Sequence, residues 1–290
     1  MAVPSVWFLN LDADHELARP AGYAPTAAVL ARVDALRARV REDLFEDGDV
    51  ELVPGVDLPA AARGLEGRAW CMTPRARKLL TAAGADPVAS PALEVLRRVN
   101  SRSFAYALTD REEGSLCSDD PRVLQDYLRA ASAGTQWLAK RAHGMAGRGQ
   151  RRLAGGALSA ADSQWLAKSC ELGAVLVEPR RELELECVVH GEVGRDGTLR
   201  LAPVLQQLCD EFGAWLENVP DPPLDDVERA ALSAAAAQAG RALAAAGYFG
   251  PFGLDSYAWR EAGRRRWNPL SDLNARYTMG WSRHGLVPCP

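Results

Sequence analysis

Long apolar runs, leader-like segments and closely paired metal-binding side chains are all missing from this sequence. No stretch reaches the roughly 18 consecutive apolar residues that a membrane-spanning helix needs. The opening Met1-Ala2-Val3-Pro4 has neither the basic start nor the apolar core of a secretory leader. The expectation is a cytoplasmic protein with no membrane partner. Basic residues are not in excess either: 34 Lys and Arg stand against 38 Asp and Glu, a formal charge of −4. A general nucleic-acid binder needs a basic face to displace counterions from phosphate, so the balance argues against that class. The six cysteines (Cys71, Cys117, Cys170, Cys187, Cys209, Cys289) include no Cys-x-x-Cys pair, and the four histidines (His15, His143, His190, His284) no His-x-x-x-His pair. Zinc knuckles, a disulfide scaffold and a catalytic zinc site therefore lack support, and any metal is expected to be a hard cation on carboxylates.

What is present is an ordinary globular composition, 48% hydrophobic and 25% charged over 290 residues, enough for about two domains of roughly 150 residues each. Short apolar strands at 6–11, 51–53 and 69–72 alternate with helical spacing at 26–40 and after the cap Thr73-Pro74. That alternation describes an open α/β unit. Helical pieces follow over 93–108 and 121–131, then a strand at 136–140, a glycine-rich loop at 143–149 and a helix at 159–171. The strand Ala174–Val177 precedes a pair over 183–190 and 198–208, turned at Gly194-Arg195-Asp196-Gly197. An alanine-rich helix starts at the cap Asp225, with Glu228 reaching back and Gly247 at its end, and strands over 253–259 and 266–273 close the chain.

Three constellations carry chemical content. In the first, Lys140 ends a strand and leads into Gly144-Met145-Ala146-Gly147-Arg148-Gly149. Glycines let backbone N–H groups approach phosphate oxygens and the ammonium supplies a point charge, although a plain flexible hairpin has the same spacing. The second is Val175-Leu176-Val177-Glu178-Pro179 followed by Glu184 and Glu186. Backbone groups there can meet an adenine edge and a carboxylate can accept from ribose hydroxyls. Alternating glutamates also describe a solvated strand face. The third is the most specific: Asp255 after Gly250-Pro251-Phe252-Gly253, then Asp272 and Asn274 within Asn268-Pro269-Leu270-Ser271-Asp272-Leu273-Asn274-Ala275-Arg276. Two residues apart on a strand, Asp272 and Asn274 face one way, and Asp255 on a neighbouring strand completes an oxygen-rich set of the kind magnesium requires.

In this order the three units resemble the ATP-grasp superfamily of carboxylate–amine ligases, which includes D-alanine–D-alanine ligase. The resemblance covers about residues 94–284 and is strongest over 250–280. It implies an α/β and α+β architecture, with a small open α/β domain at 1–92, a central subdomain at 93–173 and a C-terminal subdomain at 174–290 clasping the nucleotide. It implies ATP and Mg²⁺, or Mn²⁺ in its place, as cofactors. Arg102 and Lys140 would contact phosphate, with Gly147, Arg148 and Gly149 in the loop that closes over it. Val177, Glu178 and Arg180 would form the adenine hinge, and Glu184 would bind ribose. Asp255, Asp272 and Asn274 would hold the metal. Two departures stand out: aspartate at 272 where the family usually has glutamate, about 1.5 Å shorter, and Arg102 where an earlier lysine is common.

The implied reaction transfers the γ-phosphoryl group of ATP to a carboxylate, and an amine then attacks the acyl phosphate. Lys140 and Arg276 are the candidate catalytic residues, Arg276 for gripping the substrate carboxylate or acyl phosphate. The partners expected are small-molecule or peptide carboxylate and amine substrates, with no nucleic acid and with a homodimer as the default assembly. Asp12, Asp14, His15 and Glu16 crowd the end of the first strand, where they either recognise an amino group or serve the local fold. A kinase on the same fold, and a nucleotide-binding regulator without turnover, are the alternatives.

Overall fold

The computed structural model of the chain describes residues 3–108, 114–144, 149–210, 215–281 and 285–289. Its first unit is a parallel sheet in the order β2-β1-β3-β4, from β1 (Ser5–Phe8), β2 (Val50–Glu51), β3 (Glu66–Ala69) and β4 (Asp86–Pro87). Every residue of β1 is buried, which is why it reads as an unbroken apolar run. Helices α1 (Ala13–Ala18), α2 (Ala27–Leu44) and α3 (Pro74–Ala82) belong to this unit. The Thr26 and Thr73 hydroxyls cap α2 and α3, and Pro74 occupies the first turn of α3. The helical pieces after it are α4 (Leu93–Val99) and α5 (Arg102–Tyr106), divided at Asn100-Ser101, where the Ser101 hydroxyl accepts from the Phe104 N–H.

The second sheet is antiparallel, in the order β5-β8-β6-β7, from β5 (Leu116–Ser118), β6 (Gln136–Lys140), β7 (Gln150–Ala154) and β8 (Val175–Pro179). Helices α6 (Pro121–Ala130) and α7 (Ala160–Cys170) pack with it around Leu124, Leu128, Trp137, Leu153, Leu166, Val175 and Val177. The sequence reading put 174–177 in the last unit, and the structure corrects this: β8 is hydrogen-bonded between β5 and β6. Its Val175 and Val177 find their apolar cover in this core, so the sheet boundary falls after Pro179 rather than at 173.

The third sheet has seven strands: β9 (Leu183–Val193), β10 (Leu199–Leu201), β11 (Leu205–Cys209), β12 (Trp215–Val219), β13 (Gly250–Glu261), β14 (Arg264–Asn274) and β15 (Val287–Pro288). The long β9 pairs with β13 along one edge and with β10 and β11 along the other. The single strand expected over 198–208 is split into β10 and β11 around Pro203, which has no N–H to donate. Helix α8 (Asp226–Ala245) lies on this sheet and carries the complete Asp225/Glu228 capping box. Trp7, Leu17 and Val33 of the first unit share one core with Val189, Leu232, Phe252 and Leu273 of the last, whereas the middle sheet has a core of its own. Among the described residues no helix is long and apolar enough to cross a membrane.

Candidate active site

The middle and last sheets, with residues of the first unit outside its strands, enclose one cleft with a cavity volume of about 570 Å³. The last sheet supplies Asp255, Asp272 and Asn274, the middle sheet Lys140, Glu178 and Arg152, and the first unit Leu11 and Trp70. Asp255 and Asp272 stand directly opposite each other across β13 and β14, and Asn274 is two residues further along the same face. The Asn274 amide donates to Asp255 Oδ2 at 3.2 Å and its oxygen accepts from Arg276 Nη2 at 2.9 Å. Asp272 Oδ2 accepts from Arg102 Nη2 at 3.0 Å. Burial, reinforced by the Asp272 carboxylate, pushes the Asp255 carboxyl up from 3.8 to about 7. A crowded carboxylate pair of this kind is short of positive charge. Among the described residues no group of three or more His, Cys, Asp or Glu could hold a metal unaided. Two carboxylates beside an amide nevertheless fit a hard cation that fills its other positions with water and phosphate oxygens.

The cationic side of the cleft is built from short-range geometry. Ser101 starts α5, so Arg102 stands on its first turn; its backbone N–H donates to Ala142 and its Nη1 to the Arg141 carbonyl at 3.3 Å. Nε of Arg102 is buried with no partner. Lys140, at the end of β6, places Nζ 2.5 Å from Glu178 Oε1 on β8, and both side chains are almost fully buried. The backbone N–H of Arg180 donates to the Gln136 carbonyl at 2.9 Å, which keeps the segment after β8 against β6 while its side chain lines the cleft.

Other residues singled out from the sequence lie elsewhere. Glu184 does not line the cleft: it pairs with Arg260 at 3.0 Å and reaches Arg265 at 3.7 Å, and Arg265 continues to Glu228 of α8 at 3.3 Å. The cause is a bulge in β9 at Glu184: Leu185 pairs with Ala258 and Leu183 with the next residue, Trp259, so Glu184 has no residue opposite it. Glu186, not Glu184, faces the cleft; burial pushes its carboxyl up, and the Cys209 thiol donates to it at 3.8 Å. Val177 is fully buried in the middle core, paired with Leu116 on one side and Ala139 on the other, and does not line the cleft. Gly149 has φ of +83° and accepts from the Arg141 N–H at 2.9 Å, closing the base of the loop. Gly147 and Arg148 lie outside the described residues.

Arg276 is buried and heavily engaged. It donates to Asp14 Oδ2 at 2.7 Å, to Asn274 and to the Tyr277 carbonyl, and its guanidinium lies 5.7 Å from the Trp70 ring centroid. Asp14 holds its guanidinium more firmly protonated against the pull of burial. The crowded turn after β1 is therefore internally paired: Asp12 and Glu16 both bind Arg75, and Asp14 binds Arg276. Sequence reasoning missed Trp70, Trp215 and Met279 as cleft residues. An aromatic at a strand end carries no signal of which face it meets, whereas Glu186 was legible as one of two alternating glutamates.

No family model and no curated protein matches this sequence. Solved structures do resemble it. N5-carboxyaminoimidazole synthetase from Staphylococcus aureus, complexed with ADP, is 11% identical over 96% of this chain and 71% of its own, with a TM-score of 0.53. Carboxyaminoimidazole ribonucleotide synthase from Aspergillus clavatus, complexed with ATP, is 14% identical over 96% and 71%, with a TM-score of 0.51. D-alanyl-alanine synthetase A from Vibrio cholerae is 12% identical over 95% and 89%, with a TM-score of 0.52. At such identities the likeness is one of fold, and it meets the architecture expected from the sequence.

Proposed function

We propose that this chain, which has the ATP-grasp fold, is an ATP-dependent carboxylate–amine ligase working in the cleft between its middle and last sheets. The observation that carries the reading is the convergence of Lys140, Arg102, Asp255, Asp272 and Asn274 on one cavity. Residues to about 92 form the first unit, those to Pro179 the middle one and the remainder the last. Asp255, Asp272 and Asn274 would hold magnesium, which supplies neutralising charge beside the β- and γ-phosphates. Lys140 and Arg102 stabilise the phosphoryl group as its bond to ADP breaks and its bond to the substrate carboxylate oxygen forms. Glu186 and the segment from Glu178 to Arg180 suit the nucleoside. Arg276 orients Asn274 and the acyl group. The amine nitrogen then forms the C–N bond, and phosphate leaves with the acyl oxygen.

The test uses ATP, Mg²⁺ and pooled carboxylic acids with hydroxylamine, which captures an acyl phosphate as a coloured hydroxamate without knowledge of the natural amine. ADP and hydroxamate are expected together, each falling at least about 100-fold in Lys140→Met and Asp272→Ala. Retained turnover in both variants would overturn the assignment. A second reading, a nucleotide-binding regulator without turnover, draws on the ion pairs that already occupy Lys140 and Asp272. Magnesium-dependent ATP binding with no ADP formed under any acid would favour it.

A further inference from the structure

We infer that the carboxylate substrate carries a bulky apolar group, seated at the end of the cleft where the first unit meets the last sheet; this rests on the ligase reading above. Leu11 and Trp70 follow the carboxyl ends of β1 and β3, where an open parallel sheet presents its ligands. Leu36 of α2, Trp215 and Met279 line the same cleft, with Arg39 of α2 lying 5.8 Å from the Trp215 ring centroid. Five apolar side chains from five separate segments thus line the cavity, Leu11 and Trp70 almost wholly buried and Leu36, Trp215 and Met279 half-buried.

The polar groups nearby are spent on one another. Asp12 and Glu16 are held by Arg75, and Asp14 by Arg276, so the carboxylates of this turn would recognise a substrate ammonium only by giving up an ion pair. Asn10 is committed to the Cys71 backbone and Thr73. Of the five N–H groups of Arg276, four already donate, to Asp14 twice, Asn274 and Tyr277. Arg102 Nε and Thr278 Oγ1 have no partner, but both atoms are themselves buried. That arrangement leaves the half-buried Leu36, Trp215 and Met279 to receive an uncharged, apolar group. Burial of such a group is favourable, whereas a charged side chain would lose its hydration there without gaining a partner.

The hydroxamate assay decides this on the wild-type protein. Isocaproate and 4-phenylbutyrate are compared with acetate, succinate, L-glutamate and L-lysine, and MgATP binding is measured separately by calorimetry. A 10- to 100-fold higher kcat/KM for the apolar set is expected, roughly the discrimination an apolar pocket achieves. Leu36→Asp and Met279→Lys, both at half-buried positions, should raise KM for the apolar acids about 10-fold and leave KM for ATP unchanged. Melting curves establish that the variants fold. If MgATP binds while small or charged acids are preferred, or no acid in the panel reacts, the apolar-substrate inference is overturned and the nucleotide site stands. If MgATP does not bind at all, the ligase reading falls and takes this inference with it.

Discussion

Asp255 on β13 and His190 on the neighbouring β9 respond to pH in opposite directions. The folded Asp255 carboxyl stands near 7 against an ordinary 3.8, because burial and Asp272 oppose its charge. Folding therefore favours its protonated form, and stability is lost as pH rises from about 4 to 7. Asp255→Asn is expected to raise the Tm of the ligand-free protein at pH 8 and to leave it unchanged at pH 4; an equal shift at both would contradict the burial account. Because a cation takes the ionised carboxyl, MgATP should also bind more tightly as pH rises from 6 to 8. His190 is the reverse case. Its imidazole is buried, Nε2 has no partner, and burial pushes it down to about 4. The unfolded chain takes up that proton more readily, so stability drains away as pH falls from about 6.5 to 4. Urea unfolding at pH 7 and 4.5 should show this loss in the wild type and a smaller one in His190→Met.

At the scale of the element, β9 and β13 form the seam on which the site is built, and their close approach depends on Gly191. A Cβ there would stand 2.4 Å from the Phe252 ring, in register across the seam. Gly191→Ala is expected to cost about 1–3 kcal/mol by overpacking, measured from the urea midpoint, with partial recovery on adding Phe252→Leu. A neutral Gly191→Ala would mean that the strands separate freely. The same seam explains where reading the sequence ran short. Spacing along one strand makes Glu184 and Glu186 equivalent, and the choice between them depends on a bulge that leaves Glu184 without a partner across the seam. Asp272 and Asn274 were legible because they alternate on one strand, and Asp255 pairs with Asp272 just before the β13–β14 register shifts.

Across the whole molecule, the middle unit stands apart energetically. Its Leu124, Leu128, Trp137 and Leu166 pack with one another, while the first and last units share a single core. Leu128→Ala, emptying space around a fully buried side chain, is expected to destabilise by about 2–5 kcal/mol. Hydrogen exchange should locate that loss in residues 116–179 and leave β9 and α8 protected. Uniform loss of protection would show that the three sheets unfold as one. Separate cores also bear on function, since Lys140 and Glu178 belong to one body and the Asp255–Asp272 pair to the other.

The sequence by itself determined most of the longer strands and helices, the main helix caps and the oxygen-bearing segments, because periodicity, capping and strand alternation are local properties of the chain, while short edge strands such as β5, β7 and β12 left no such pattern. Only the tertiary structure decided that Lys140 meets Glu178, that Arg102 reaches Asp272 across 170 residues, and that the acidic turn after β1 is consumed by Arg75 and Arg276. The reason is physical: a buried charge takes whichever opposite charge the packing brings within reach, and no spacing along the chain records which one that will be.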